Sequence, residues 1–245
     1  MSKLKKSEGI VISNVKFGES SLISRIFTRE DGLRSFIISG VRTKNNKGKA
    51  AFFQVGQLLD LDYYYKEKDG VLRIKEVSLA HLFVGMQTSI LKIALSQYYI
   101  EIVKGSLYQS GEQSTDLYEY MREALIRLDV QKGHFTNLAP VFLWQYIPLL
   151  GFAPNLETTS KDCVFDLEEG QFISVRSTHD SHLSVEDSSY LKNIIISSYE
   201  EAIKMDIPST IRKHLLDAGH AFLKLHLPYF TMPTTPEIFR EILLG

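Results

Sequence analysis

Residues 58–65 read Leu-Leu-Asp-Leu-Asp-Tyr-Tyr-Tyr, so that Leu59, Leu61, Tyr63 and Tyr65 alternate with Asp60, Asp62 and Tyr64. A period of two puts one set on a dry face and the other on a wet one, the pattern of a half-buried β-strand rather than a helix. Four more short, β-branched stretches fall in residues 1–80, at Gly9–Val15, Leu22–Thr28, Leu33–Ser39 and Val71–Leu79. Turn residues separate them: Phe17-Gly18-Glu19-Ser20, then Arg29-Glu30-Asp31-Gly32 with its Asp-Gly hairpin signal, then Lys66-Glu67-Lys68-Asp69-Gly70. The connection between the third and fourth strands is much longer. Five short strands with a long link after the third predict the five-stranded Greek-key barrel called the OB-fold, with an SH3-like barrel as the runner-up.

That long link carries the clearest chemistry. From Ser39 to Ala51 it holds Arg42, Lys44, Lys47 and Lys49 and no acid, with Gly40, Asn45, Asn46 and Gly48 as residues of a flexible loop. Together with Arg25, Arg29 and Arg34 on the neighbouring strands, these cations make a candidate groove for a phosphate backbone. The overall charge of −1 conceals the asymmetry. Residues 1–80 hold 15 Lys and Arg against 9 Asp and Glu, a balance of +6, and the remainder holds 13 against 20, a balance of −7. Such a split suggests a nucleic-acid-binding part joined to a part of another kind. Phe17, Phe27 and Phe36 sit in apolar company and are expected in the core. One of Phe52 and Phe53 should be buried and the other partly exposed.

The rest of the chain has helical periodicity. Ile90, Ile93, Ala94, Tyr98 and Ile102 recur at helical spacing within 86–107, and Asp116 with Glu119 resembles a capping box for a helix through Leu128. Leu138–Leu150 is apolar nearly all round and predicts a buried central helix, ended by Pro148, Gly151 and Pro154. Residues 155–183 read as an irregular insert with one small hairpin, Cys163–Asp166 against Gln171–Ser174. Ser184 with Asp187 caps a helix reaching about Met205, Pro208–Leu227 forms another, and Thr235-Pro236 starts a last one. The predicted class is therefore α+β: a barrel over 1–80, then a mainly helical domain over 81–245.

Enzyme chemistry finds little support. The seven histidines are scattered without a nucleophile beside them, no Gly-rich phosphate loop occurs, and Asp60 with Asp62 lacks a third acid. No cofactor is expected. The single cysteine, Cys163, rules out an internal disulfide. No apolar run approaches the ~20 residues of a membrane span, and the N-terminal cations lack an apolar segment behind them, so a cytoplasmic location is expected.

Several stretches together resemble the RecO family of bacterial recombination-repair proteins: Gly9-Ile-Val-Ile, Phe17-Gly18-Glu19-Ser20, Phe27-Thr28-Arg29-Glu30-Asp31-Gly32, Ser39-Gly40-Val41-Arg42, Phe53-Gln54 and Leu150-Gly151-Phe152-Ala153-Pro154. The resemblance implies an N-terminal OB-fold, a helical C-terminal domain and a non-enzymatic mediator. Such a mediator binds single- and double-stranded DNA and anneals strands coated with single-strand-binding protein. It also implies partnership with RecR in loading RecA, a docking site for the C-terminal tail of single-strand-binding protein, and association with the nucleoid when active. Arg122 and Arg127 are the candidates for holding that acidic tail. Two departures stand out: Ser39 replaces a lysine common before the Gly-x-Arg motif, and the insert keeps only Cys163, His179 and His182 where many members have four cysteines. The chain thus resembles the zinc-less members, with a degenerate zinc-ribbon-like insert and no metal expected. A protein-interaction adaptor and an RNA-binding barrel are the alternative functions.

Overall fold

The computed structural model describes residues 3–41, 47–66, 70–107, 114–154, 156, 163–174 and 181–235, the side chains of 47–49 excepted. It divides into two compact units, Met1–Val130 and Gln131–Gly245.

The first unit is built on five strands: β1 (Lys3–Phe17), β2 (Ser21–Thr28), β3 (Gly32–Ile38), β4 (Leu58–Tyr65) and β5 (Leu72–Leu79). They close in the order β1-β2-β3-β5-β4, and β4 returns to β1. This is the OB-fold order, and it sets aside the SH3-like alternative. Closure depends on the length of β1, which pairs with β4 through residues 3–10 and with β2 through residues 9–17, with a bulge between Val11 and Ser13. An extra residue at a bulge bends a strand, which lets one strand serve two neighbours around a corner. Gly9 lies at the crossing, where an added Cβ would stand 2.6 Å from Ile26 Cγ2 and 3.0 Å from Leu61 Cδ1.

The sequence reading began β1 only at Gly9. Lys3–Glu8 lacks apolar alternation because its inward residues are Lys5 and Ser7. Lys5 is held inside by an ion pair with Asp31 and by the Tyr65 ring, whose centroid lies 3.8 Å from its Nζ. The barrel is filled by Val11, Ile26, Phe36, Ile38, Leu59, Leu61, Tyr63, Leu72 and Phe53. Phe52 is only partly buried, and Phe17 is 50% exposed rather than in the core. The β2–β3 hairpin turns at Asp31-Gly32, where Gly32 takes φ 68° and Thr28 Oγ1 donates to the Gly32 carbonyl at 2.8 Å.

In the long link, Lys47–Phe52 forms a short helix, α1, so Lys47 and Lys49 stand on a helical turn and not in an extended loop. Ala50 and Ala51 favour that outcome. Two further helices complete the unit, α2 (Ile90–Ser106) and α3 (Thr115–Val130). The cap of α3 is Ser114, whose Oγ accepts the Leu117 N–H at 3.4 Å, and Asp116 lies within the first turn. Phe27 meets Tyr118 of α3 edge to face, with centroids 5.6 Å apart, which fixes α3 over one end of the β2–β3 outer face.

The second unit packs around α4 (Leu138–Tyr146), buried along nearly its whole length, with α7 (Ser209–His226) against it. Trp144 donates from Nε1 to the Leu215 carbonyl at 2.8 Å. A 3-10 turn over Ile147–Leu150 and Gly151 at φ 93° close α4 where Pro148 predicted. The insert contributes a hairpin, β6 (Cys163–Asp166) with β7 (Gln171–Ser174), at the predicted positions. The helix expected through Met205 is broken into α5 (Val185–Ile196) and α6 (Tyr199–Ala202). Ser198 and Glu201 form a capping box there, so the chain restarts a helix instead of continuing one. The helix expected from Thr235-Pro236 lies outside the described residues.

Candidate nucleic-acid interface

Strand periodicity decides which cations share a face. On β2, Ser24 and Ile26 turn inward, so Ile23, Arg25 and Phe27 turn outward. Register carries this across the sheet: Arg25 lies between Ser13 of β1 and Ser35 of β3, and Ile23 lies between Val15 and Ile37. The parallel β3–β5 pair then sets Arg73 beside Ile37, and β4 sets Tyr64 beside Arg73. The Phe27 end of this face is covered by Tyr118, whereas Val15, Phe17 and Tyr64 stand 62%, 50% and 44% exposed. The open face thus combines exposed apolar and aromatic surface with Arg25 and Arg73, neither of which pairs with a described carboxylate. Cations beside exposed rings form a surface suited to a single strand, with phosphates on the charges and bases on the flat faces.

The opposite side of the barrel has the reverse character. Glu8 of β1 lies beside Asp60 of β4, and Asp62 lies between Lys6 and Glu76. Lys6 meets Asp62 at 3.3 Å and Glu8 accepts from Arg122 Nε at 2.9 Å. Asp60 and Asp62 are therefore part of a salt-bridged, solvated face, as their alternation with leucines suggested.

The sequence-selected cations do not all gather in one place. Arg25 is on the open face. Arg29 pairs with Glu119 of α3 at 2.7 Å, so its charge joins helix to barrel. Arg34 has the inward parity at one end of the barrel. Its Nε donates to the Asp31 carbonyl at 3.0 Å, and its guanidinium lies 5.6 Å from the Tyr65 centroid. Arg42 and Lys44 lie outside the described residues, as do the side chains of Lys47 and Lys49. Arg122 is committed to Glu8, and Arg127 to Glu123 one turn away at 2.9 Å, so both cations proposed for an acidic tail are neutralised locally. Sequence reasoning missed Arg73 and Lys75. The signal was present, because both alternate with the apolar Leu72 and Ile74, but only the parallel pairing places Arg73 next to β3.

Near this end of the barrel Asp31 is buried between Lys5 and Tyr63, whose hydroxyl donates to it. Burial, reinforced by that hydrogen bond, pushes the Tyr63 phenol far above its ordinary range. The network ties β1 and β4 to the β2–β3 turn.

In the second unit, Ser184 Oγ and the His214 ring both address the Asp187 carboxylate, at 2.8 and 3.2 Å. The serine bonds to the acid and not to the imidazole, which is a helix cap and not a nucleophile with its base. Cys163 and His182 are not brought together: His182 bridges to Asp166, three residues along β6 from Cys163. Among the described residues no group of three or more His, Cys, Asp or Glu is placed to hold a metal ion. His179 lies outside the described residues.

Comparison with known proteins agrees with this architecture. A model of the Recombination protein O N-terminal domain matches residues 1–83, and one of its C-terminal domain matches residues 87–232. The chain belongs to the RecO family. It is 27% identical over 239 residues to DNA repair protein RecO of Phocaeicola vulgatus, covering 98% of this chain and 99% of that one. The same-named proteins of Bacteroides fragilis and Flavobacterium psychrophilum are 26% and 27% identical over 240 and 238 residues, again across 98–99% of their lengths and 97–98% of this chain. The family boundary near residue 85 follows the end of the barrel, whereas packing groups α2 and α3 with the barrel, through Phe27–Tyr118, Arg29–Glu119 and Glu8–Arg122. Among the described residues no helix is long and apolar enough to cross a membrane.

Proposed function

We propose that the chain is a non-enzymatic, DNA-binding mediator of recombinational repair. It anneals complementary strands coated with single-strand-binding protein, whose C-terminal tail it engages, and together with RecR it helps RecA to load at the nucleoid. The observation that carries this reading is the charge division of the barrel, with Arg25 and Arg73 meeting no described carboxylate on the β2–β3–β5 side and Glu8, Asp60, Asp62 and Glu76 on the β1–β4–β5 side. Annealing must bring two polyanions together, and a fixed cationic face lowers that repulsion without a nucleophile or a metal. Arg42, Lys44, Lys47 and Lys49 follow β3 in the sequence and add positive charge to this part of the chain.

The test is annealing of complementary oligonucleotides coated with single-strand-binding protein, with and without RecR. The expected result is acceleration by the chain, sensitive to salt, with a slope of log K against log salt of about −3 for four neutralised phosphates of a single strand. Annealing no faster than in the chain's absence would overturn the proposal. An adaptor role is the second reading. It draws on a neutral apolar groove of about 360 Å³ between residues 54–57 and α2, flanked by Phe83, Met86 and Ile93, the last 44% exposed. Binding to RecR without measurable affinity for bare DNA would favour that reading.

A further inference from the structure

The β3–β5 seam is the one place where the barrel is barely sewn. The two strands pair only at Phe36–Leu72 and Ile37–Arg73, although β3 continues to Ile38 and β5 to Leu79. Being parallel, they part toward their C-terminal ends, and their facing backbone edges are no longer paired with each other. A cleft of about 260 Å³ opens between them, lined by Ile37, Ser39, Phe53, Arg73, Lys75 and Val77. Its floor is apolar, since Phe53 is buried and Val77 packs against the barrel core. Its rim is cationic. Arg73 has no described acidic partner, and the described ion pair of Lys75 is with its own neighbour Glu76 at 3.6 Å, an exposed contact of little consequence. Ser39 adds an exposed hydroxyl where β3 runs into the basic link.

A partly apolar cleft, with two cations at its lip and strand edges that are not paired with each other along its walls, has the chemistry of a nucleotide seat. We propose that this seam holds one nucleotide of single-stranded DNA, its phosphate on Arg73 and Lys75 and its base in the cleft against Phe53 and Val77. This rests on the DNA-binding reading and makes it more specific. A base inside a duplex is stacked and paired and cannot enter such a slot without being flipped out, so the seam favours single strands over duplex. The strand would cross the open face past Arg25.

The experiment uses the full chain, a single-stranded oligonucleotide carrying 2-aminopurine and the matching duplex. Two variants are compared with the wild type: Arg73→Ala/Lys75→Ala, which removes the rim, and Ser39→Leu, which narrows the mouth without changing charge. Each is checked for an unchanged far-ultraviolet circular dichroism spectrum. Wild-type binding should change the 2-aminopurine emission, and Ser39→Leu should abolish that change. Arg73→Ala/Lys75→Ala should weaken single-strand binding about tenfold and make its salt slope shallower by about 1.4, two contacts of 0.7 each. Duplex affinity should stay within twofold. Equal losses on single strand and duplex would overturn the seat and leave Arg73 and Lys75 as part of a general positive surface. No loss on either polymer, with wild-type binding intact, would overturn it as well. A wild-type chain that binds neither polymer would overturn the DNA-binding reading itself, and the seat with it.

Discussion

The two outer sides of the barrel belong to one closed sheet and differ in what their charges are doing. On the β1–β4 side, carboxylates meet cations within the protein: Lys6 with Asp62, and Arg122 with Glu8. On the β2–β3–β5 side, Arg25 and Arg73 meet no described carboxylate. The difference teaches that a count of cations is a poor guide to a polyanion site. Arg29 and Arg122 are as basic as Arg25, yet each is neutralised in holding α3 to the barrel. What marks a candidate interface is charge left over after the fold has used what it needs.

The comparison breaks most readily by reversing the charge of each face. Arg25→Glu/Arg73→Glu should weaken single-stranded DNA binding about a hundredfold at low salt, or about 3 kcal/mol, read by fluorescence anisotropy. Asp60→Lys/Asp62→Lys should leave affinity unchanged or raise it severalfold. Losses of similar size from both swaps would remove the distinction.

The second unit supplies a control in a buried histidine. His220 is buried on α7, and burial holds its imidazole down to about 4, with Asp217 pulling partly upward. The unfolded chain takes up that proton near the ordinary value of about 6.5. Stability is therefore full above about pH 6.5, falls as pH drops through that window, and levels off below about 4, at a cost of up to about 3 kcal/mol. Denaturant unfolding against pH should show this fall, and His220→Gln should flatten it while DNA binding at neutral pH stays the same.

Gly9 sharpens the comparison from the strand shared by both faces. Gly9→Val would push a side chain into Ile26 and Leu61, and overpacking of this kind costs about 1–3 kcal/mol. Thermal unfolding should shift down, with the DNA affinity of the folded fraction unchanged. The smallest effect belongs to the cations already used. Arg29→Ala and Arg122→Ala should each change stability by less than about 1 kcal/mol, because both pairs are partly exposed. Neither should alter the salt dependence of DNA binding, and a shallower slope in either would return that residue to the interface.

Much of the barrel was legible because strand signals are local. Alternation at Leu59–Tyr65, the Asp31-Gly32 turn and the long third connection each speak within a few residues, and together they specify five strands and the OB-fold. The hairpin at Cys163–Asp166 and Gln171–Ser174 was legible for the same reason. Lys3–Glu8 was not, because its inward Lys5 is stabilised by Asp31 and Tyr65, partners 26 and 60 positions away. The site was less legible than the fold. Sequence gives the number of cations, but their partners come from tertiary pairing: Glu119 reaches Arg29 only after α3 has docked. Arg73 was overlooked because its neighbour Ile37 lies across a parallel pair that no local pattern announces.

The central claim, that unspent cations on the β2–β3–β5 face carry the DNA contact, is tested most directly by the salt dependence of single-strand affinity in Arg25→Ala/Arg73→Ala beside the wild type. The account predicts weaker binding and a slope shallower by about 1.4, the share of two phosphate contacts on a single strand. A slope identical to that of the wild type would contradict it and place the contact elsewhere on the chain.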